Sequence, residues 1–103
     1  MIPIKIHSTP ITEETFKKQG WTREEEEDIK GNTFTYWILP LPKGSKDPYA
    51  PCFISNTSNQ KLKGLEEGEY VVELNDFGGL GFCGSEEEIE VLYEMLTKKS
   101  IYQ

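Results

Sequence analysis

The chain carries two cysteines, one histidine and a glycine triplet, the residues here whose types and spacing can do chemistry. Gly79-Leu80-Gly81-Phe82-Cys83-Gly84 matches the Gly-x-Gly-x-x-Gly pattern that cradles a dinucleotide pyrophosphate. It sits in a glycine-dense link, Phe77 to Gly84. Before it runs the strand-like Tyr70-Val71-Val72-Glu73-Leu74, and after it a helical stretch from Glu86 to Lys98. Two features argue against a cofactor cradle. Glu86, Glu87 and Glu88 would occupy the first helical turn, where three carboxylates repel a pyrophosphate. Too few residues follow Gly84 to complete a βαβ unit with its distal acid. The glycines then read as a hairpin turn that needs tight bends or close backbone approach.

Cys52 and Cys83 lie far apart in the chain, and there is no Cys-x-x-Cys to suggest a metal knuckle. A Cys–His pair with His7 lacks the motif context of a nucleophile. Each cysteine is better read as a small buried apolar residue than as half of a disulfide. The carboxylates concentrate in two runs, Glu24 to Asp28 and Glu86 to Glu88, which read as solvated faces without a tuned acid–base pair. No nucleophile elbow and no basic–aromatic interleaving occurs. We therefore expect no catalytic residue, no cofactor and no metal. Trp37 and Tyr36 are expected inside a lean core. Tyr49, in a proline-flanked loop, and Phe77, in the glycine-rich turn, are expected at the surface.

These residues must be held by a chain of 103 residues, which fits one domain. Apolar residues are 36% and aromatics 12%, enough for a compact core and too aromatic for a disordered acidic chain. Eleven basic against eighteen acidic residues leave a formal charge of −7. Such a surface repels phosphate backbones and anionic lipid, so generic nucleic-acid binding is disfavoured. The start, Met1 to His7, does not read as a signal peptide, and no apolar run reaches membrane-span length. A cytoplasmic location is the expectation.

Ile2, Ile4 and Ile6 alternate as in a short edge strand. Thr12 suits a helix N-cap, with Glu13 and Glu14 in the first turn and Ile11 and Phe16 in staple positions. Gly20 suits the left-handed residue after that helix, with Trp21 folding back on Phe16. The Arg23–Asp28 charge run reads as a solvated edge strand or loop, or else as a docking surface. Lys30-Gly31-Asn32 is a turn, and Thr33 to Leu39 is the clearest strand. Cys52-Phe53-Ile54-Ser55 is a second, and Leu80-Gly81-Phe82 is the return strand of a hairpin with Tyr70–Leu74. Ser85 and Glu88 form a capping box, and Ile89, Leu92, Tyr93 and Leu96 line one helical face. The expected fold is a two-layer α+β domain over residues 1–103. It has a mostly antiparallel sheet of four to six strands, a short early helix and a longer last helix packed on the sheet.

Two stretches add a family resemblance. Pro10-Ile11-Thr12-Glu13-Glu14 through Lys18, Gly20 and Trp21 resembles the opening of small uncharacterised proteins of Bacteroidetes phages and mobile elements. Leu92-Tyr93-Glu94-Met95-Leu96-Thr97 resembles their closing helix, although Gly84-Ser85-Glu86-Glu87-Glu88 departs from their residues before it. The resemblance implies an accessory protein of a phage or mobile element and brings no active site.

The functional expectation is a small acidic binding protein without enzyme activity, acting on a host protein. Its candidate interaction residues are Tyr49, Asp76, Phe77, Glu24, Glu25, Glu26, Glu27 and Asp28. The alternative is a nucleotide or metabolite binder using Gly79, Gly81 and Cys83. A DNA mimic would instead present the Glu24–Asp28 row. Exposed edge strands leave a homodimer open.

Overall fold

The computed structural model describes residues 8–75 and 81–103. The expected strand through Ile2, Ile4 and Ile6 lies outside that range, as do His7, Asp76, Phe77, Gly79 and Leu80. The elements run α1 (Glu13–Gln19), β1 (Thr22–Glu27), β2 (Thr33–Pro40), β3 (Cys52–Ser55), β4 (Val72–Asn75), β5 (Gly81–Cys83) and α2 (Glu86–Thr97). The five strands form one sheet in sequence order, each antiparallel to the next. This is the small α+β architecture expected from the strand and helix signals.

Local chemistry accounts for the first helix. Thr15 Oγ1 accepts from the Thr12 backbone N–H at 3.2 Å, and Glu13 and Glu14 face the positive end. Gly20 ends the helix at φ +82°, and the Trp21 N–H donates to the Phe16 carbonyl at 2.9 Å. That return drops the Trp21 ring against Phe16, with centroids 4.7 Å apart. A Cβ at position 20 would also stand 3.3 Å from the Lys43 Nζ, which crosses here to donate to the Ile101 carbonyl. Gly20→Ala is therefore expected to destabilise the fold by about 1–2 kcal/mol, the usual cost of a left-handed L-residue. Urea unfolding measures it, and an unchanged midpoint would contradict this view of the turn.

Strand parity decides which side of the sheet is buried. One face carries Trp37, Leu39, Phe53, Ser55, Val72 and Cys83, all buried, in register across β2 to β5. Phe16 of α1 stacks on Trp37 at 5.2 Å and meets Tyr70 edge-on at 5.1 Å. Trp21 stacks on Phe53 at 6.0 Å. Ile89 and Tyr93 of α2 complete the same core, so both helices serve one face. The opposite face holds the cross-strand row Thr22, Ile38, Ile54, Glu73 and Phe82, with Tyr36 opposite Glu24.

Three expectations need correction. Tyr36 is not a core residue: with Trp37 turned inward, residue 36 must face outward, and its hydroxyl donates to Glu26 at 3.0 Å. Leu96 belongs to the apolar helical spacing but is 50% exposed. Twelve residues of α2 span roughly 18 Å, whereas the three of β5 span about 10 Å, so the last turn overruns the strand. The fourth strand starts at Val72; Tyr70 instead makes a single bridge to Ile11.

Candidate functional site

The chain from Ser8 to Ile11 runs past the start of α2 and is fixed there. The Thr9 carbonyl accepts from the Glu86 N–H at 2.9 Å, and the Thr9 N–H donates to Glu87 Oε1 at 2.6 Å. That donation holds the Glu87 carboxyl below its ordinary range, so it is charged at neutral pH. Ser85 caps the helix as the Ser-x-x-Glu pattern implies: its Oγ accepts from the Glu88 N–H at 3.2 Å and donates to Glu88 Oε1 at 3.1 Å.

Between this anchored end and β5 lies a groove of about 540 Å³. Phe82, Val91, Leu92 and Met95 supply its apolar wall, Cys83 part of its floor, and Glu87 and Glu88 its acidic rim. Phe82 is 65% exposed, Val91 58% and Met95 64%, and the half-exposed Leu96 follows on the helix. Several exposed large apolar residues around one groove, on a chain this acidic, are a feature that interaction sites share. Residue alternation explains why Phe82 faces out while Cys83 faces in. Sequence reasoning placed Cys83 here but missed Val91 and Met95. The signal was present: α2 carries apolar residues at 91 and 95 in addition to the Ile89–Tyr93 stripe, more than one buried face requires.

Cys83 is buried, and burial, with the nearby Glu88 charge, pushes its thiol up to about 11. Neither cysteine is in a disulfide. A thiol whose folded pKa is raised contributes stability fully below its unfolded value, and loses that contribution as pH rises through roughly 9 to 11. At pH 8 the thiolate fraction is roughly 100-fold below that of an ordinary thiol. Cys83 is therefore expected to resist an aromatic disulfide reagent at pH 8 until the chain is unfolded. Fast native labelling assigned to Cys83 by peptide mass would contradict this.

Glu86 corrects the reading of its run as a solvated face. It is only 7% exposed, accepts from the Thr15 hydroxyl at 2.9 Å, and pairs through Oε1 with Lys18. This pair raises the Lys18 pKa and ties α1 to α2. Single carboxylate oxygens of Glu86, Glu87 and Glu90 lie within 4.8 Å of one another, a spacing open to a cation. The Lys18 ammonium and the Thr9 N–H already meet two of those carboxylates, and nothing further points to an ion there. Gln19 is buried, and its Oε1 accepts from the Trp21 indole at 3.0 Å.

The Glu24–Asp28 run does form an edge strand and its turn. Glu25 and Glu27 lie on the helix-bearing side, Glu24 and Glu26 on the other, so the four glutamates make two pairs and not one row. Arg23 lies 3.9 Å from Glu25, and Asp28 closes the turn by accepting from the Lys30 and Asn32 N–H groups at 2.8 and 3.0 Å. Those bonds hold the Asp28 carboxyl low. Tyr49 is 92% exposed in its loop, as expected, and Ile29 at the β1–β2 tip is fully exposed, an apolar residue that sequence reasoning passed over. Gly81 pairs with Leu74 in the β4–β5 ladder, while Gly84 has room for a Cβ and needs no special backbone. Pocket-like space of about 550 Å³ also opens under the 56–70 loop, lined by polar residues such as Asn56, Gln60 and Glu69.

Among the described residues, no helix is long and apolar enough to cross a membrane. Comparison with protein-family models, with curated proteins and with solved structures returns no match for this chain.

Proposed function

We propose that this chain is a small acidic binding protein without enzyme activity that acts on a host protein through its surface. The observation that carries this reading is the exposed strip of Phe82, Val91 and Met95 along the β5–α2 groove. Water-exposed apolar surface of this kind gains by association, at roughly 25 cal/mol per Å² removed from water. The Glu24–Asp28 edge lies across the sheet from this groove and, with the exposed Tyr49, is a separate candidate surface that the groove reading does not need. The acidic balance favours a basic protein over nucleic acid as partner. An accessory role in a phage or mobile element rests on the resemblance of the Thr12–Trp21 and Leu92–Thr97 stretches, and a cytoplasmic setting goes with it. Position-specific crosslinking tests the reading. A photoreactive phenylalanine at Val91 should trap one discrete protein in cells that express the chain, and the same probe at Lys63 should not. Equal crosslinking at both positions, or none at either, would overturn it.

One observation supports a second reading, a small-molecule binder near Gly79, Gly81 and Cys83. Cys83 floors a groove whose volume of about 540 Å³ lies within the usual range for such ligands. Thermal-shift screening against nucleotides and metabolites separates the two readings. A ligand at a hundred times its dissociation constant adds about 2.7 kcal/mol to stability, whereas a protein-only binder shows no shift.

A further inference from the structure

We infer that the β5–α2 groove takes a cationic amphipathic helix of the partner protein. The helix lays its apolar face on Phe82, Val91 and Met95 and directs its Lys or Arg side chains to Glu87 and Glu88. The inference rests on the protein-binding reading above and specifies the chemistry of the partner at the same site.

Charge complementarity selects the occupant. Among the described residues, the acidic and basic side chains lining the groove are both carboxylic: Glu87, held charged by the Thr9 N–H, and the exposed Glu88. No Lys or Arg among the described residues lines it. A second copy seated on this face would bring another chain of net −7 against an acidic rim. A basic segment finds charge partners where a second copy finds repulsion.

The geometry selects a helix. Glu87 to Met95 spans roughly 12 Å at 1.5 Å per residue, so two to three turns of an occupant fill the length. Four of its lining residues, Phe82, Val91, Leu92 and Met95, are large and apolar, and apolar anchors at helical spacing meet such a wall without asking for backbone partners. Among the described residues, the two outermost strands differ in the same sense. β1 is blunted by four glutamates, while β5 presents Phe82 with no charge in the strand. The groove is thus the apolar approach to this sheet edge, rimmed for a cation.

The test uses the full chain and a fluorescein-labelled 14-residue peptide of leucines and lysines patterned as an amphipathic helix. The control is the same pattern with glutamate in place of lysine. Anisotropy should show the Leu/Lys peptide binding, with affinity falling several-fold between about 50 and 300 mM NaCl, and the Leu/Glu peptide not binding. Val91→Asp and Met95→Asp, at exposed positions, should each weaken binding more than roughly 20-fold. Glu88→Gln should weaken it a few-fold, and glutamine at all four β1 glutamates should leave it within about two-fold.

Equal binding of the two peptides, or loss on the β1 substitutions, would overturn the inference. So would a concentration-dependent dimer abolished by Met95→Asp, or binding that appears only after residues 1–7 are deleted, since each identifies a different occupant. Discrete crosslinking at Val91 with no Leu/Lys binding would end this inference and leave the protein-binding reading standing.

Discussion

Phe16→Ala is expected to lower the unfolding free energy by about 3–5 kcal/mol, the range for removing a fully buried phenyl ring. The ring has no exposure and meets Trp21, Trp37 and Tyr70 with centroids 4.7 to 5.2 Å away. It is the point where α1, the loop before β4 and the sheet converge. Deleting it leaves a cavity that three stiff rings cannot collapse to fill, and forfeits aromatic contacts of about 0.5–1.5 kcal/mol each. A domain of this size holds roughly 5–15 kcal/mol in total, so the variant should melt on the order of 20 °C lower. Calorimetry or circular dichroism reads this directly. A loss below about 1 kcal/mol would mean that α1 is not part of the cooperative core.

The second large effect is expected at the α1–α2 ion pair. Lys18→Met removes the ammonium from a Glu86 side chain that is 9% exposed, leaving the carboxylate with the Thr15 hydroxyl. Breaking such a pair strands a desolvated charge, at about 1–3 kcal/mol. With 54% of the Lys18 side chain in water, screening holds the loss toward the lower part of that range. Lys18→Met combined with Glu86→Leu should cost less than the sum of the singles, since an apolar pair carries no stranded charge. The pH dependence has a definite sign. The Lys18 pKa is raised in the folded state, chiefly by the Glu86 hydrogen bond. The contribution is therefore complete below about pH 10, the ordinary lysine value, and is lost as pH rises through the folded one. Urea titrations at pH 7 and 11 on wild type and Lys18→Met should lie closer together at the higher pH. Curves that stay equally separated would contradict the pair's role.

These two sites show where sequence reasoning succeeds and where it stops. Phe16 was legible because its signals are local: a cap at Thr12, a staple with Ile11, and a glycine stop that folds Trp21 back. The β2 and β3 strands, the β4–β5 hairpin and the Ser85 cap were legible for the same reason. Glu86 was not, because its burial comes from Thr15 and Lys18, some seventy residues earlier, and nothing in a Glu-Glu-Glu run distinguishes the buried one. The outward Tyr36 and Leu96 follow from strand parity and strand length, which register must supply. In the candidate site, Cys83 was in view from the glycine motif, while Val91 and Met95 were hidden behind the apolar stripe they adjoin. Strand order came only with the structure, although the short links favour the neighbour-to-neighbour meander found.

The measurement that addresses the central claim most directly is a residue-resolved titration of the ¹⁵N-labelled chain with the Leu/Lys peptide. The claim predicts saturable shifts at the amides of Phe82, Cys83, Val91, Leu92 and Met95, with Glu24–Asp28 and Tyr49 unmoved. Shifts confined to Glu24–Asp28, or spread evenly over all acidic positions, would contradict it and return the groove to a purely structural role.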